Sequence, residues 1–242
     1  VIISKSKNFV YIHLEKCGGT SIEFALEPYL LPTDILLGST PNGEKLEYTF
    51  FKKYGYQNSL KKHSYSDDIK KSIPGFWDNM YKFATVRDPQ KILISLYYYC
   101  ETLLNKITDF GDIKDFYLNN KFPQEWKYEM PYILDYCESI IDNTKLNGFV
   151  YKIFKNQRKE VLPQITRLGE DVELFDIKDI YSNWRNILNK ININNDIPLH
   201  VLNRSNKPTR HVDLNQESIN LIYKHFELDY LIIPDKIKCE WK

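Results

Sequence analysis

Two short stretches limit the folds open to this chain more than any other feature. Phe9 to Leu14 reads FVYIHL, an apolar run of β-branched and aromatic residues, and it opens directly into the glycine-bearing segment EKCGGTS. Such a run is the pattern of a buried strand. Ile22, Ala25, Leu26 and Tyr29 then fall at i, i+3, i+4 and i+7, one helical face whose length Pro28 limits. Tyr81 to Val86, YKFATV, repeats the arrangement. Arg87-Asp88-Pro89 follows, with Asp88 suited to an N-cap and Pro89 to the first helical position. Ile92, Leu93, Leu96, Cys100 and Leu103 continue as a long amphipathic helix. Strand, turn and helix thus occur twice in this order. That predicts an α/β fold with a central parallel sheet flanked by helices.

The remaining segments carry weaker patterns. Residues 38 to 75 are polar, lack a sustained period, and read as loops and short helices. Glu173 to Ile177 predicts a third strand, and Tyr181 to Ile191 a helix with Trp184, Ile187, Leu188 and Ile191 inward. Asp213 and Gln216 suggest a capping box before Ile219, Ile222, Tyr223 and Phe226 at helical spacing. From about Asp109 to Lys159 helical patterns alternate with polar breaks. No linker, repeat or low-complexity tract divides the chain, so residues 1–242 are read as one domain.

Composition narrows the function. Lys and Arg number 33 against 32 Asp and Glu, so the basic surplus of a general nucleic-acid binder is missing. Cys17, Cys100, Cys137 and Cys239 form no C-x-x-C pair, so neither a zinc ribbon nor a redox motif is expected. Scattered cysteines fit a reducing compartment, and a cytoplasmic location is the expectation. The alternative is a luminal catalytic domain trimmed of an anchor, since the chain starts at Val1 without Met or signal-peptide pattern. No apolar run approaches the ~18 residues of a membrane span. The sequon Asn203-Arg204-Ser205 is of a kind that chance supplies.

In an α/β sheet, ligands sit at the carboxyl ends of strands, often on helix N-termini. Lys16 to Ser21 falls at such a place. Its glycines let backbone N–H groups approach an anion, Thr20 and Ser21 carry hydroxyls, and Lys16 adds a charge. Three phosphate chemistries fail on spacing. A Walker A loop places its lysine after the last glycine, whereas Lys16 precedes both. A cysteine phosphatase would need an arginine six residues after Cys17, where Glu23 stands. A dinucleotide fingerprint, G-x-G-x-x-G, is absent.

A fourth chemistry fits. His13-Leu14-Glu15-Lys16-Cys17-Gly18-Gly19-Thr20-Ser21 resembles the 5′-phosphosulfate loop of sulfotransferases that use 3′-phosphoadenosine-5′-phosphosulfate (PAPS). It is most similar to the carbohydrate branch, heparan- and chondroitin-type, whose loop reads roughly H-I-P-K-x-G-G-T-S. Glu15 departs from the family's proline, and its side chain must point away from the anion. Phe83-Ala84-Thr85-Val86-Arg87-Asp88-Pro89, then Ser95 and Tyr97, resembles the family's 3′-phosphate motif about 70 residues downstream. Seven residues at ~100° each return Ser95 beneath Asp88, roughly 10 Å along a helix. Lys62-His63 before Phe76-Trp77 is similar to the segment supplying the family's histidine, and His200 to Lys207, with LNRSNK within it, to its C-terminal N-x-S stretch. The middle of the chain matches poorly.

The resemblance implies a P-loop-like sulfotransferase fold and transfer of a sulfuryl group from PAPS to an acceptor hydroxyl of a sugar, small alcohol or natural product. It implies nucleotide contacts from Lys16, Cys17, Gly18, Gly19, Thr20, Ser21, Arg87 and Ser95. Lys16 would meet charge on the leaving phosphate, and His63 would act as base, a task that suits an unperturbed pKa near ~6.5. No metal is expected, and neither a nucleic-acid partner nor a membrane span. The other four histidines, His13, His200, His211 and His225, read as core or surface groups. The competing class is a nucleotide-binding or kinase-like phosphotransferase on a similar sheet, which would call for Mg²⁺ and carboxylate ligands.

Overall fold

A computed structural model describes residues 1–55, 58–106, 113–118, 130–158, 161–194, 196–202 and 213–232. The chain forms two compact units: Val1–Arg87 with Gln164–Asn203 and Ile232–Lys242, and Asp88–Pro163 with Arg204–Leu231. Each draws on more than one stretch of chain, so no linker marks their boundary. The sequon, the segment from Asn203 to Lys207, His211 and Cys239 lie outside the described residues.

The first unit holds a five-stranded sheet in the order β3-β1-β2-β4-β5. The strands are β1 (Ile2–Ser4), β2 (Phe9–Ile12), β3 (Ile35–Leu36), β4 (Tyr81–Val86) and β5 (Glu173–Asp176). The β2–β4 and β4–β5 pairs are parallel, with Tyr11 opposite Phe83 and Ala84 opposite Leu174. The β1 strand is antiparallel to β2 and to β3. The sheet is therefore mixed, which corrects the expectation of a parallel one. The cause is local: β1 and β2 are joined by a four-residue turn through Asn8, at φ 59°, and so short a connection permits only an antiparallel pair.

Helix α1 (Gly19–Leu26) and helix α8 (Ile180–Lys190) lay their apolar residues on this sheet, Ile22 and Leu26 from one, Trp184, Ile187 and Leu188 from the other. The core they enclose includes Phe9, Tyr11, Phe83 and Phe175. Helix α2 (Pro41–Tyr54) is a departure from the sequence reading, which had only short helices there. It runs 14 residues, starts at a Thr40 cap that accepts from Gly43 N–H, and buries only Gly43. A helix that presents almost nothing to a core has no apolar stripe to reveal it. Helix α3 (Ser66–Ser72) follows.

The second unit is helical: α4 (Pro89–Leu104), α5 (Ile113–Leu118), α6 (Met130–Ile141), α7 (Lys145–Lys155), α9 (Gln216–His225) and α10 (Glu227–Ile232). Asp88 caps α4 by accepting from Gln90 N–H at 2.8 Å, with Pro89 in the first turn, as its sequence implies. Its core gathers Tyr97, Cys100, Tyr136, Phe149, Ile222 and Phe226. Arg158 fixes buried Asp135 with two bonds of 2.7 and 2.8 Å. The cap of α9 is Asn215, which accepts from Ser218 N–H at 2.9 Å, and not the Asp213–Gln216 box. Among the described residues no helix is long and apolar enough to cross a membrane.

Candidate anion-binding site

The parallel strands β2, β4 and β5 end on the same side of the sheet, and the loop from His13 to Gly18 leaves β2 there. Two of its residues have left-handed backbone, Lys16 at φ 58° and Gly18 at φ 81°. Gly18 is the N-cap of α1, and α1 begins without a side-chain cap. The Gly19 and Thr20 amides thus lead the helix with the positive end of its dipole behind them, while Ser21 N–H donates to Gly18 O at 3.2 Å. A Cβ at Gly18 would come within 2.6 Å of the Ile177 side chain, and one at Gly19 within 2.2 Å of the His13 ring. Both positions require glycine, for backbone angle and space at the first and for space at the second.

The hydroxyls expected at the loop are tied to neighbouring segments. Thr20 Oγ1 and Ser39 Oγ lie 2.9 Å apart. Ser21 Oγ accepts from Leu202 N–H at 3.0 Å, which leaves the Ser21 proton able to donate elsewhere. Cys17 is fully buried, and its Sγ lies 3.3 Å from both Glu15 O and Gln164 Oε1. The thiol is directed into the fold, so the loop's nucleophile-like residue serves packing.

Arg87 stands at the end of β4, half-buried. Its Nη1 donates to Lys16 O at 2.9 Å, so the guanidinium holds the left-handed turn of the loop. Gln164 grips the Arg87 backbone from both sides, accepting from Arg87 N–H and donating to Arg87 O, each at 2.8 Å. Glu15 lies 3.7 Å from Arg167, which also stacks over Tyr65 at 5.2 Å. An acidic side chain inside an anion loop is thus matched by a cation. Ser95 belongs to the other unit, on α4, and is half-buried.

His63 is fixed from below the loop. Its Nδ1 is 2.9 Å from the main-chain carbonyl of His13, so Nδ1 carries the proton and Nε2 is the basic nitrogen. The His13 and His63 rings meet edge to face at 4.7 Å. Burial pushes the His63 pKa well below its ordinary value, with neighbouring His13 and Lys62 adding to the effect, so the ring is neutral at physiological pH. His13 is itself buried, and its Nδ1 lies 2.6 Å from Glu23 Oε1. Burial lowers the His13 pKa to about 4. Burial works against the Glu23 charge, but the His13 contact and the Ser39 amide hold that carboxylate ionised. His200 is exposed, and His225 bonds Val161 O at 2.7 Å.

Lys16, Gly18, Gly19, Thr20, Ser21, Arg87 and His63 therefore share one unit around the ends of β2 and β4. Gln164, Arg167, Glu23 and Ser39 complete the surroundings, and sequence reasoning did not single them out as partners. No motif links Gln164 or Arg167 to a loop some 150 residues away. Glu23 sits at an otherwise apolar position of α1, the one available signal. Among the described residues no group of three or more His, Cys, Asp or Glu is placed to hold a metal ion. No family profile, curated protein or solved structure matches the chain.

Proposed function

We propose that the chain is a PAPS-dependent sulfotransferase acting on an acceptor hydroxyl. The observation that carries this reading is the loop itself. An uncapped helix N-terminus, a Gly-Gly turn, a loop lysine and a strand-end arginine that grips the loop backbone converge at the ends of two parallel strands. Such a donor set suits a phosphate or phosphosulfate. The tautomer of His63 supports the second half of the reading, because its unprotonated Nε2 can take a proton, while the lowered pKa makes this ring a weaker base than a free imidazole.

In this mechanism the acceptor oxygen attacks sulfur in line with the departing phosphate oxygen. The sulfur–oxygen bond to the phosphate breaks as the new one forms, and the acceptor proton passes to His63 Nε2. Lys16 meets the charge that grows on the bridging oxygen, while the α1 amides and the Ser21 hydroxyl hold the phosphate that remains. Arg87 is assigned to the 3′-phosphate. Thr20, bonded to Ser39, keeps the first turn of α1 in place.

The test is calorimetry with 3′-phosphoadenosine-5′-phosphate (PAP) in the presence of a chelator. PAP should bind without metal and ATP much more weakly. ATP binding that is as tight or tighter and depends on Mg²⁺ would replace this reading with a kinase-like one.

A further inference from the structure

We propose that Glu23 is a positioning residue for this reaction: from the buried side of α1 its carboxylate sets the orientation of His63 through His13, and that of Thr20 through Ser39. The proposal rests on the function proposed above.

Glu23 is fully buried, in the core-facing row of α1 that also carries Ile22 and Leu26. An apolar residue there would avoid the desolvation that a buried carboxylate suffers. What the carboxylate provides is a set of directional bonds. Oε1 accepts from His13 Nδ1 at 2.6 Å and lies 3.2 Å from the Val1 nitrogen. Oε2 accepts from Ser39 N–H at 2.8 Å. Gly38 closes over the group so tightly that a Cβ there would fall 2.2 Å from Oε1.

Each of these bonds continues into the site. His13 presents its carbonyl to His63 Nδ1 at 2.9 Å, and the two rings pack edge to face. The same ring lies directly beneath Gly19, the first residue of α1. Ser39, whose amide Glu23 holds, reaches Thr20 with its hydroxyl. One carboxylate thus joins the base, the floor of the loop and the first helical turn. The His63 tautomer depends on where the His13 carbonyl stands, and Glu23 fixes His13 by its side chain.

The experiment uses ¹⁵N imidazole NMR of the ligand-free protein, with PAP calorimetry and, as turnover, release of PAP from PAPS on the same samples. Glu23→Gln removes the charge, while Gly38→Ala keeps it and displaces the carboxylate, so the second serves if the first fails to fold. Wild type should show His63 protonated at Nδ1 only. In the variants His63 should become a mixture of tautomers, with PAP affinity falling less than turnover, which should drop about 10²-fold, the scale of a misplaced reacting group. An unchanged His63 tautomer, or full turnover, in a variant that still binds PAP would overturn the role of Glu23 alone. Failure of wild type to bind PAP would instead remove the sulfotransferase reading, and the proposal with it.

Discussion

Replacing Gly19 with alanine sets two effects of opposite sign against each other. Inside a helix, alanine is favoured over glycine by up to about 1 kcal/mol. Against that, the new Cβ would lie 2.2 Å from His13 Cδ2, 2.3 Å from Nε2 and 2.6 Å from Cγ. Carbon contacts settle near ~3.5–4 Å, so something must move by more than about 1 Å. The imidazole cannot swing away, because Glu23 holds Nδ1 at 2.6 Å and the His63 ring blocks one side. Overpacking of this kind costs about 1–3 kcal/mol. The net expectation is a loss of about 1–2 kcal/mol, or a fall of about 2–8 °C in Tm for a chain of this length. Melting curves of Gly19→Ala, His13→Ala and the double variant check it. In the His13→Ala background the alanine should become neutral or stabilising, because its collision partner is gone. Stabilisation by Gly19→Ala alone, or the same penalty in both backgrounds, would refute the contact.

The other predictions address chemistry and pH. Arg87→Ala should weaken PAP binding by about 1.5–3 kcal/mol, roughly 10- to 150-fold by calorimetry, through the lost charge-assisted bond and a loosened Lys16 turn. Unchanged affinity in a folded variant would remove Arg87 from the site. Lys16→Ala should lower turnover far more than PAP affinity, and His63→Ala should cost about 10²–10⁴-fold in rate with PAP affinity nearly intact. Near wild-type turnover in His63→Ala, once an acceptor is known, would move the base elsewhere. Stability should fall on acidification. The folded pKa of His13 is about 4, whereas an unfolded histidine titrates near ~6.5, so below that pH the unfolded chain gains protons that the folded chain refuses. The stabilisation is complete above about pH 6.5 and is lost towards pH 4, at up to ~1.4 kcal/mol per unit for this residue. A melting temperature that stays flat across this window would contradict a buried neutral His13.

Much of this architecture was legible because it rests on local rules. The runs FVYIHL and YKFATV became β2 and β4, and the Asp88-Pro89 start of α4 is where N-cap chemistry puts it. Other features left no pattern. The β1 strand is three residues long, too short to show alternation, yet it turns the sheet from parallel to mixed. Helix α2 carries Tyr48, Phe51 and Tyr54 outward and buries almost nothing, so its period was invisible. The loop from Lys16 to Ser21 could be identified because its glycines and lysine are contiguous. Its partners could not, since Gln164 and Arg167 reach it only through tertiary structure. His63 was singled out by resemblance, and the bond to His13 that selects its tautomer is visible only in three dimensions.

The most direct measurement follows the backbone amides of Gly18, Gly19, Thr20 and Ser21 by ¹H–¹⁵N NMR while PAP is titrated in chelator. These amides should move together and saturate with the calorimetric affinity, and Arg87→Ala should shift the same titration to higher nucleotide concentration. Saturable PAP binding that leaves these four amides in place, or no PAP binding at all, would contradict the assignment of this loop to the phosphosulfate.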